Sequence, residues 1–367
     1  MLVFPERTLA ASRSSVAVSL IYRPDIDSSF HLYPLSPAEM TTPFPLLRLP
    51  RLALICVFEQ MEEREIIKFS LLSKRASNLS KSLRKLSASF IHLLVERDHL
   101  DIRVRFEMHQ VVGLSYYFCP ENAPNSANAV LQKMTFTHGN IGLTATQLLE
   151  RVQDVTNCES LKRVDINRVP RFDVCVALFS LKNIRELHIG YNVPNSFAKK
   201  TLRILSPVTS EITLCKIPFE SRDEFQTFLK SNLNFLAIYS YRAKISFKFS
   251  IDDVLVANAL KLKLREVSSS VKGVNQLFLN WLQNKWDSRM EHFSVNVYEH
   301  VNENNLLKGL NAIPCLEQRT FHYSTQLDTP PKTIEGGFDV RRDDGKLATI
   351  KFEAGVEDEI IDFYVWP

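Results

Sequence analysis

The sequence predicts an α+β protein, in which a small helical unit is followed by a larger domain of alternating helices and strands. Apolar residues recur at helical spacing shortly after residue 50, which indicates the helical unit. From residue 141 onward, strand-like segments alternate with helix-like ones at intervals of roughly 23 to 31 residues. This alternation is typical of αβ units that stack against their neighbours.

The composition is that of an ordinary globular protein. Of the 367 residues, 45% are hydrophobic and 23% are charged, and this length suffices for one large domain or several modest ones. The formal net charge of +4 is small and argues against a dedicated nucleic-acid-binding protein. No apolar run approaches the roughly 20 residues that span a bilayer. We therefore expect an intracellular protein, cytoplasmic or nuclear, with neither nucleic acid nor a membrane as its partner.

The six cysteines are widely spaced along the chain, at Cys56, Cys119, Cys158, Cys175, Cys215 and Cys315. No C-x-x-C pair occurs, so the spacing predicts neither a zinc ribbon nor a redox motif. We expect free thiols in a reducing compartment and no cofactor.

Residues 1–41 are predicted to form a flexible N-terminal extension. They lack a sustained hydrophobic period, and they contain four prolines among scattered serines, namely Pro5, Pro24, Pro34 and Pro37. We hypothesise that Met40 is the physiological start or that the residues before it are dispensable. A peptide from residues 1–39 found in the native protein would refute the first version.

The helical unit is predicted over residues 42–86. Its first helix follows Pro50, whose fixed φ and missing N–H suit a helix start. Its apolar stripe, at i, i+3, i+4 and i+7, consists of Leu54, Val57, Phe58 and Met61. Glu62 and Glu63 follow, and their charge favours the start of a second helix. The apolar residues of that helix are Ile66, Ile67, Phe69, Leu71 and Leu72.

A strand-rich connector is predicted over residues 87–140. Its pattern indicates a strand buried on both faces over residues 90–95, an alternating strand over 100–106 and a loop over 120–129.

The larger domain is predicted over residues 141–367. Its strands are marked by Leu161–Ile166, Ile184–Ile189, Ile212–Leu214, Leu236–Ile238, Leu262–Leu264 and Phe293–Val297.

The larger domain has two candidate architectures, an irregular array like leucine-rich repeats and one compact α/β domain with a mostly parallel sheet. We favour the first, although no Leu-x-x-Leu-x-Leu-x-x-Asn repeat recurs faithfully.

Two capping-box patterns predict helix starts, and they lie at Thr144–Gln147 and Ser221–Glu224. Asp344-Gly345, between alternating segments, predicts a hairpin turn.

Some conspicuous side chains have structural explanations. Trp281 and Trp286 are predicted to be core residues because an indole buries a large area. Asn258 and Asn275 are predicted to cap helices or tie loops.

No catalytic motif is present. The ten glycines form no phosphate loop, and neither a nucleophile elbow nor H-E-x-x-H occurs. His292 and His300 each follow a glutamate, but they are eight residues apart, so we predict surface residues rather than a metal site. We predict no catalytic residue and no metal ligand. A cryptic enzyme remains an alternative that would need a polar constellation in a pocket, since triads are recognised by geometry.

Residues Leu49 to Arg75 resemble an F-box. The family's Leu-Pro start, apolar first helix, acidic turn, apolar pair and closing Ser-Lys-Arg all align without a gap. The matching residues are Leu49-Pro50, Leu54, Ile55, Val57, Phe58, Met61, Glu62, Ile66-Ile67 and Ser73-Lys74-Arg75. Departures stand at Leu52, Glu63 and Ala76, where the family often has Glu, Pro and Trp. By pattern alone, the unit could equally be an αα-hairpin buried in its own domain.

The resemblance implies that this unit docks onto a Skp-type adaptor and, through it, onto a cullin. The implied adaptor-binding residues are Leu49, Pro50, Leu54, Val57, Phe58, Ile66, Ser73 and Lys74.

Residues from about 200 to 300 resemble the type 2 F-box-associated domain, a family greatly expanded in nematodes. The resemblance is carried by Ile251–Asn258, which is similar to the family's Asp-x-Leu-Leu-x-x-Asn element, and by Val274–Leu282, which is similar to Asn-x-Phe-Leu-Lys-x-Trp-Ile. Residues 336–352 resemble the family's closing hairpin.

Together the resemblances imply a non-catalytic substrate-recognition subunit of a Skp–cullin–F-box ubiquitin ligase, whose C-terminal domain binds an unknown target protein. The alternative is a protein-interaction module whose F-box acts outside ubiquitin transfer.

Overall fold

The computed structural model describes residues 46–83, 86–106, 110–119, 121, 134–137, 141–158, 161–171, 174–179, 181–239, 250–265, 270–286, 289–324, 331–354 and 359–367. The extension predicted over residues 1–41 lies outside these ranges, as does nearly all of the loop predicted over 120–129. The chain divides into two compact units, residues 1–48 and 49–367. The described part of the first is a short 3-10 helix, Leu46–Arg48, and the second holds the remaining helices and strands.

Three helices open the second unit, namely α1 (Arg51–Gln60), α2 (Glu63–Ser70) and α3 (Lys74–Leu83). The sequence pattern predicts only two helices, and α3 is the difference. The Ala76 N–H donates to Ser73 Oγ at 3.1 Å, so Ser73 caps a new helix instead of extending α2. A capping box between Glu62 and Glu65 starts α2, in agreement with the charge expected there.

The larger domain alternates helices with strands along the chain. Its helices are α4 (Ala145–Thr156), α5 (Cys175–Phe179), α6 (Asn195–Leu205), α7 (Arg222–Leu229), α8 (Val271–Leu282) and α9 (Glu303–Leu306), with 3-10 turns at Ser206–Val208 and Ile251–Val256. Its first ten strands are β1 (Ala88–Val95), β2 (His99–Phe106), β3 (Val111–Tyr117), β4 (Met134–Thr137), β5 (Leu161–Ile166), β6 (Ile184–Ile189), β7 (Thr209–Leu214), β8 (Leu233–Tyr239), β9 (Ala259–Arg265) and β10 (His292–Val297). Strands β5 to β10 confirm the six predicted from residue 161 onward.

Six further strands close the chain, namely β11 (Ile313–Pro314), β12 (Gln318–Phe321), β13 (Lys332–Glu335), β14 (Phe338–Arg341), β15 (Leu347–Ala354) and β16 (Glu359–Val365). Strands β12 and β13 pair only with each other among the described strands, as a separate two-stranded ribbon. Strands β14 and β15 form the predicted hairpin around Gly345, whose φ of 89° is the left-handed conformation that favours glycine.

Fourteen strands form one sheet, in the order β11-β14-β15-β16-β10-β9-β8-β7-β6-β5-β1-β2-β3-β4. Strand β1 and strands β5 to β10 run parallel, and β5 to β10 stand in chain order. Because each αβ unit adds the next strand on the same side, the sheet grows as a stack and does not wind both ways from a middle strand. The repeat-like arrangement predicted from the sequence is therefore confirmed, and the connector's strands belong to the same sheet.

The two faces of this sheet differ in polarity. On one face, residues paired across neighbouring strands form an apolar row of Leu93, Val164, Leu187, Ile212, Leu236, Leu262, Phe293 and Phe363. Each of them is at most 1% exposed. Right-handed crossovers between parallel strands in chain order place their helices on one side of a sheet, so the helices and these side chains form the core.

The three-helix unit is anchored to the start of the sheet domain. Helices α2 and α3 both pack against α4. Arg151 of α4 donates through Nη1 to the Leu71 carbonyl at 3.1 Å, and Lys81 of α3 forms an ion pair with Asp154. These contacts fix the position of the helical unit against the first αβ unit.

The two predicted capping boxes lie at the starts of α4 and α7, and only the one at α4 is complete. Thr144 and Gln147 form the full capping box at α4. Ser221 Oγ accepts from the Glu224 N–H at 3.2 Å, but the Glu224 carboxylate accepts from the Glu220 N–H instead of from Ser221. The box at α7 is therefore only half formed.

Three side chains have the places that the sequence predicts, namely Trp281, Trp286 and Asn275. Trp281 and Trp286 are 5% and 2% exposed. The Asn275 side chain donates to the Leu306 carbonyl at 2.7 Å and to the Lys308 carbonyl at 3.0 Å, which ties the loop after α9 to α8. The cysteines whose side chains are described are free thiols, as predicted, namely Cys56, Cys119, Cys158, Cys215 and Cys315. Within the described ranges, no helix is both long and apolar enough to cross a membrane.

Candidate functional site

The eight residues implied as adaptor contacts divide by burial. Leu54, Phe58 and Ile66 are at most 4% exposed and lie in the core of the three-helix unit. The remaining five reach the surface, with Leu49, Val57 and Ser73 half-buried and Pro50 and Lys74 exposed. The second group is open to direct contact with a partner, while the first group maintains the shape of the unit.

Phe58 shows what the buried group contributes. Its ring packs edge-to-face against Phe69, with centroids 5.3 Å apart and planes at 84°. Such a pair contributes about 1 kcal/mol beyond the area that it buries. Truncation of a buried phenylalanine costs about 3–5 kcal/mol, so Phe58→Ala would report on folding more than on binding.

Two leucines that sequence reasoning missed are exposed on the helical unit. Leu52 is 79% exposed and Leu72 is 70% exposed. Leu52 shares one side of α1 with Ile55 and Cys56, at i, i+3 and i+4, opposite the buried Leu54. We call Leu52, Ile55 and Cys56 the outer stripe. The signal was in the sequence, since the outer stripe has helical spacing opposite the buried one.

The face of the sheet opposite the apolar row is mostly polar, and we call it the open face. Its first row of paired residues is His92, Arg163, Glu186, Glu211, Phe235, Lys261, His292 and Tyr364. Its second row is Leu94, Asp165, His188, Thr213, Ala237, Lys263, Ser294 and Asp362. With neighbouring strands about 4.8 Å apart, each row is about 34 Å long.

Acidic residues lie at the end of the open face nearer the helical unit, where Asp165 is the centre of a network. Arg163 Nε donates to its carboxylate at 2.7 Å, and His92 Nε2 lies 2.7 Å from it. Burial opposes ionisation, but hydrogen bonds from His188, His92 and Arg163 outweigh it and hold the pKa of Asp165 well below its usual range. Asp165 is therefore charged and fully engaged.

His188 connects this network to a thiol. Its Nδ1 lies 3.3 Å from Asp165 Oδ1, and its Nε2 lies 3.2 Å from Cys215 Sγ. The hydrogen bonds with Asp165 and then Cys215 raise the pKa of His188 to about 9, although burial opposes this.

Thiol, imidazole and carboxylate are the groups of a nucleophilic site, so this arrangement bears on the cryptic-enzyme alternative. Asp165 is also shared with Arg163 and His92, so its carboxylate is not dedicated to orienting His188. Among the side chains that the structure describes, no group of three or more His, Cys, Asp or Glu is placed to hold a metal ion.

Basic residues dominate the other end of the open face. A cleft of about 370 Å³ lies over β9, β10 and β16, beside the ribbon of β12 and β13. Its charged lining residues are Lys261, Lys263, Arg265, Lys332, Glu353 and Asp362. We call it the basic cleft. Burial lowers the pKa of Lys261 and of Lys263, and repulsion among the neighbouring cations adds to this.

His292 lies at the floor of the basic cleft, so its prediction as a surface residue is wrong. It is 4% exposed and stacks on Tyr364, with centroids 4.3 Å apart. Its Nδ1 lies 2.8 Å from the Tyr323 hydroxyl and its Nε2 lies 3.0 Å from Asp362. Burial lowers its pKa to about 4, although Asp362 opposes the shift, so the ring is neutral at pH 7. The sequence pattern could not place the ribbon that covers it. His300, by contrast, is exposed as predicted.

Comparison with protein families finds two matches in this chain. Residues 46–87 match the F-box domain, and residues 224–295 match the F-box-associated domain. The first range contains α1 to α3, and the second contributes Lys261, Lys263, Arg265 and His292 to the basic cleft. No curated protein and no solved structure matches the chain significantly.

Both matched domains are interaction modules, and the matches confirm both resemblances seen in the sequence. The helical unit is an F-box, and the sheet domain contains a type 2 F-box-associated domain. F-box domains bind Skp-type adaptors.

Proposed function

We propose that this protein is the substrate-recognition subunit of a Skp–cullin–F-box ubiquitin ligase. In this proposal the F-box binds a Skp-type adaptor and, through it, a cullin, while the sheet domain binds a target protein. One observation carries the proposal: a single compact unit presents an exposed apolar stripe on its F-box and a wide polar open face on its sheet. The two family matches support it, since both matched domains are interaction modules.

The exposed leucines suit a helical partner. Burying a leucine side chain contributes about 1.5–3 kcal/mol, and Leu52 and Leu72 are largely uncovered. Lys74 and Ser73 lie beside Leu72 in the sequence and provide polar groups at its edge. An apolar centre with a polar rim is the usual anatomy of a protein interface.

The proposed mechanism is proximity. The adaptor and cullin would hold a ubiquitin-charged enzyme near a target on the sheet domain, which raises the effective concentration of the target's lysines. The chain itself performs no bond chemistry, needs no cofactor and acts in the cytoplasm or nucleus. Anchoring of the F-box through Arg151 and Lys81 keeps the two surfaces at a fixed separation.

A charge placed on the exposed leucines tests the adaptor site. We expect the double variant Leu52→Glu, Leu72→Glu to weaken adaptor binding at least tenfold, because two carboxylates would have to be desolvated in an apolar contact. Titration of the purified chain with a Skp-type adaptor measures the affinity. Both side chains are exposed, so the fold should be retained, and circular dichroism checks this.

The matched control is Leu316→Glu, which makes the same chemical change at a side chain that is 95% exposed and outside the F-box. It should bind the adaptor like the wild type. If the double variant also binds normally, the outer stripe and Leu72 are not the adaptor site. If the folded wild type binds no adaptor, the protein is better explained as an interaction module that acts outside ubiquitin transfer.

A further inference from the structure

Three cations stand in a line along β9. Lys261, Lys263 and Arg265 alternate with Leu262 and Leu264, which face the core. Alternate residues of a strand are about 6.6 Å apart, so the line is about 13 Å long. All three side chains line the basic cleft on the open face.

The acidic groups of the cleft are already paired with neighbouring side chains. Asp362 lies 3.0 Å from His292 Nε2 and forms an ion pair with Lys332 at 3.3 Å. Glu353 forms an ion pair with Lys351 at 2.6 Å. Four cations and two carboxylates line the cleft, so its lining carries a net positive charge.

Aromatic rings hold one of these cations in place. Lys261 Nζ lies 5.3 Å from the centre of the Phe235 ring and 5.0 Å from that of the Tyr323 ring. Such contacts stabilise an ammonium group without neutralising it, so Lys261 is positioned and still available to an anion.

We propose that the basic cleft binds an extended, acidic segment of the target protein, with carboxylates at alternate positions along β9. The linear arrangement of the cations decides the geometry of this ligand. An extended chain places every second side chain on one side at the same spacing as β9, so its carboxylates can each meet one cation. A single phosphoryl group would require cations that converge on one point. The inference rests on the proposed function, because it treats the sheet domain as the surface for the target.

The probe is a fluorescein-labelled peptide that alternates Glu and Ser, titrated with the full chain and followed by fluorescence anisotropy. We expect binding that weakens as salt is raised, because salt screens exposed charges. Lys263→Gln should weaken it about fivefold or more. The matched control is Lys272→Gln, which removes the same charge from an exposed position of α8 outside the cleft. This control should bind the peptide like the wild type.

Three further peptides define the chemistry of the ligand. A peptide with Gln in place of Glu should not bind measurably, and a peptide with its glutamates in one block should bind more weakly. The proposal would be overturned if the Gln peptide or the block peptide bound as tightly as the alternating peptide, or if Lys263→Gln bound the alternating peptide like the wild type. It would also be overturned if a peptide that carries one phosphoserine bound more tightly than the alternating peptide.

The adaptor titration separates this inference from the proposed function. Lys263→Gln should bind the adaptor normally, since the cleft lies outside the F-box. If the adaptor binds and the alternating peptide does not, the inference alone fails. If the peptide binds and the adaptor does not, the ligase assignment alone fails.

Discussion

At the scale of single residues, His292 shows how the fold controls charge at the basic cleft. Its ring is enclosed by Tyr364, Tyr323 and Asp362. A protonated ring there would lose its hydration and add a fifth cation beside Lys261 and Lys332, which is why its pKa falls to about 4. Asp362 keeps its negative charge, because hydrogen bonding to His292 outweighs burial and holds its pKa below the usual range.

This burial predicts a dependence of stability on pH. The unfolded chain protonates His292 near its ordinary pKa of about 6.5, while the folded chain does so only near pH 4, so the unfolded state binds more protons between these values. The free energy of unfolding should therefore decrease as pH falls through this window, by up to about 3 kcal/mol. Denaturation by urea at a series of pH values measures it, and His292→Gln should flatten the slope.

His188 should not contribute to the slope measured between about pH 6.5 and 4. Its raised pKa gives stability that is lost only as pH rises towards about 9. An unchanged slope in His292→Gln would show that this ring is not the group responsible.

At the scale of elements, the closing hairpin depends on one glycine. Gly337, directly before β14, has φ of +100°, and a Cβ there would lie 2.6 Å from the Ile350 carbonyl oxygen. The Ile350 carbonyl belongs to a backbone that is held in a ladder, since Ile350 pairs with Phe338, the residue after Gly337. The strand pair therefore has no room for a side chain at this position.

Gly337→Ala should lower the free energy of unfolding by clearly more than Gly336→Ala. Gly336 also has a positive φ of +69°, but a Cβ there meets nothing within 4 Å, so its cost is the conformational strain of about 1 kcal/mol. The difference between the two variants isolates the backbone clash, which we expect to add about 2 kcal/mol or more. Equal costs in urea denaturation would mean that the hairpin shifts to admit the methyl group.

The elements also show what local sequence can predict. Strands β5 to β10 follow from alternation, because a strand with one face on a core must alternate. Helix α3 does not follow, because Ser73 comes directly after an apolar run and the break at residues 71–73 carries neither glycine nor proline. From the sequence alone, Leu52 is only a departure from the F-box pattern. Its exposure could not be predicted, because it depends on which side of α1 packs against the rest of the unit.

At the scale of the whole molecule, the basic cleft marks the limit of prediction from sequence. The alternation of Lys261, Lys263 and Arg265 is local, so the sequence alone places them on one face. Tyr323 and Lys332 come from a ribbon far along the chain, and nothing local indicates which strands they approach. The two family matches likewise identify modules without stating which surface of the sheet domain a target meets.

The two modules belong to one compact unit, and we propose that adaptor and target bind separate surfaces of it. The F-box is joined to the sheet domain through α4, and the sheet continues without interruption from β4 to β11. An adaptor bound on the outer stripe would leave the basic cleft accessible.

Hydrogen–deuterium exchange of the full chain, with and without a saturating Skp-type adaptor, tests this claim most directly. We expect protection within residues 49–83 and unchanged exchange in β9 and β10. Protection centred on β9 and β10, or none within residues 49–83 on a folded chain at saturating adaptor, would contradict it.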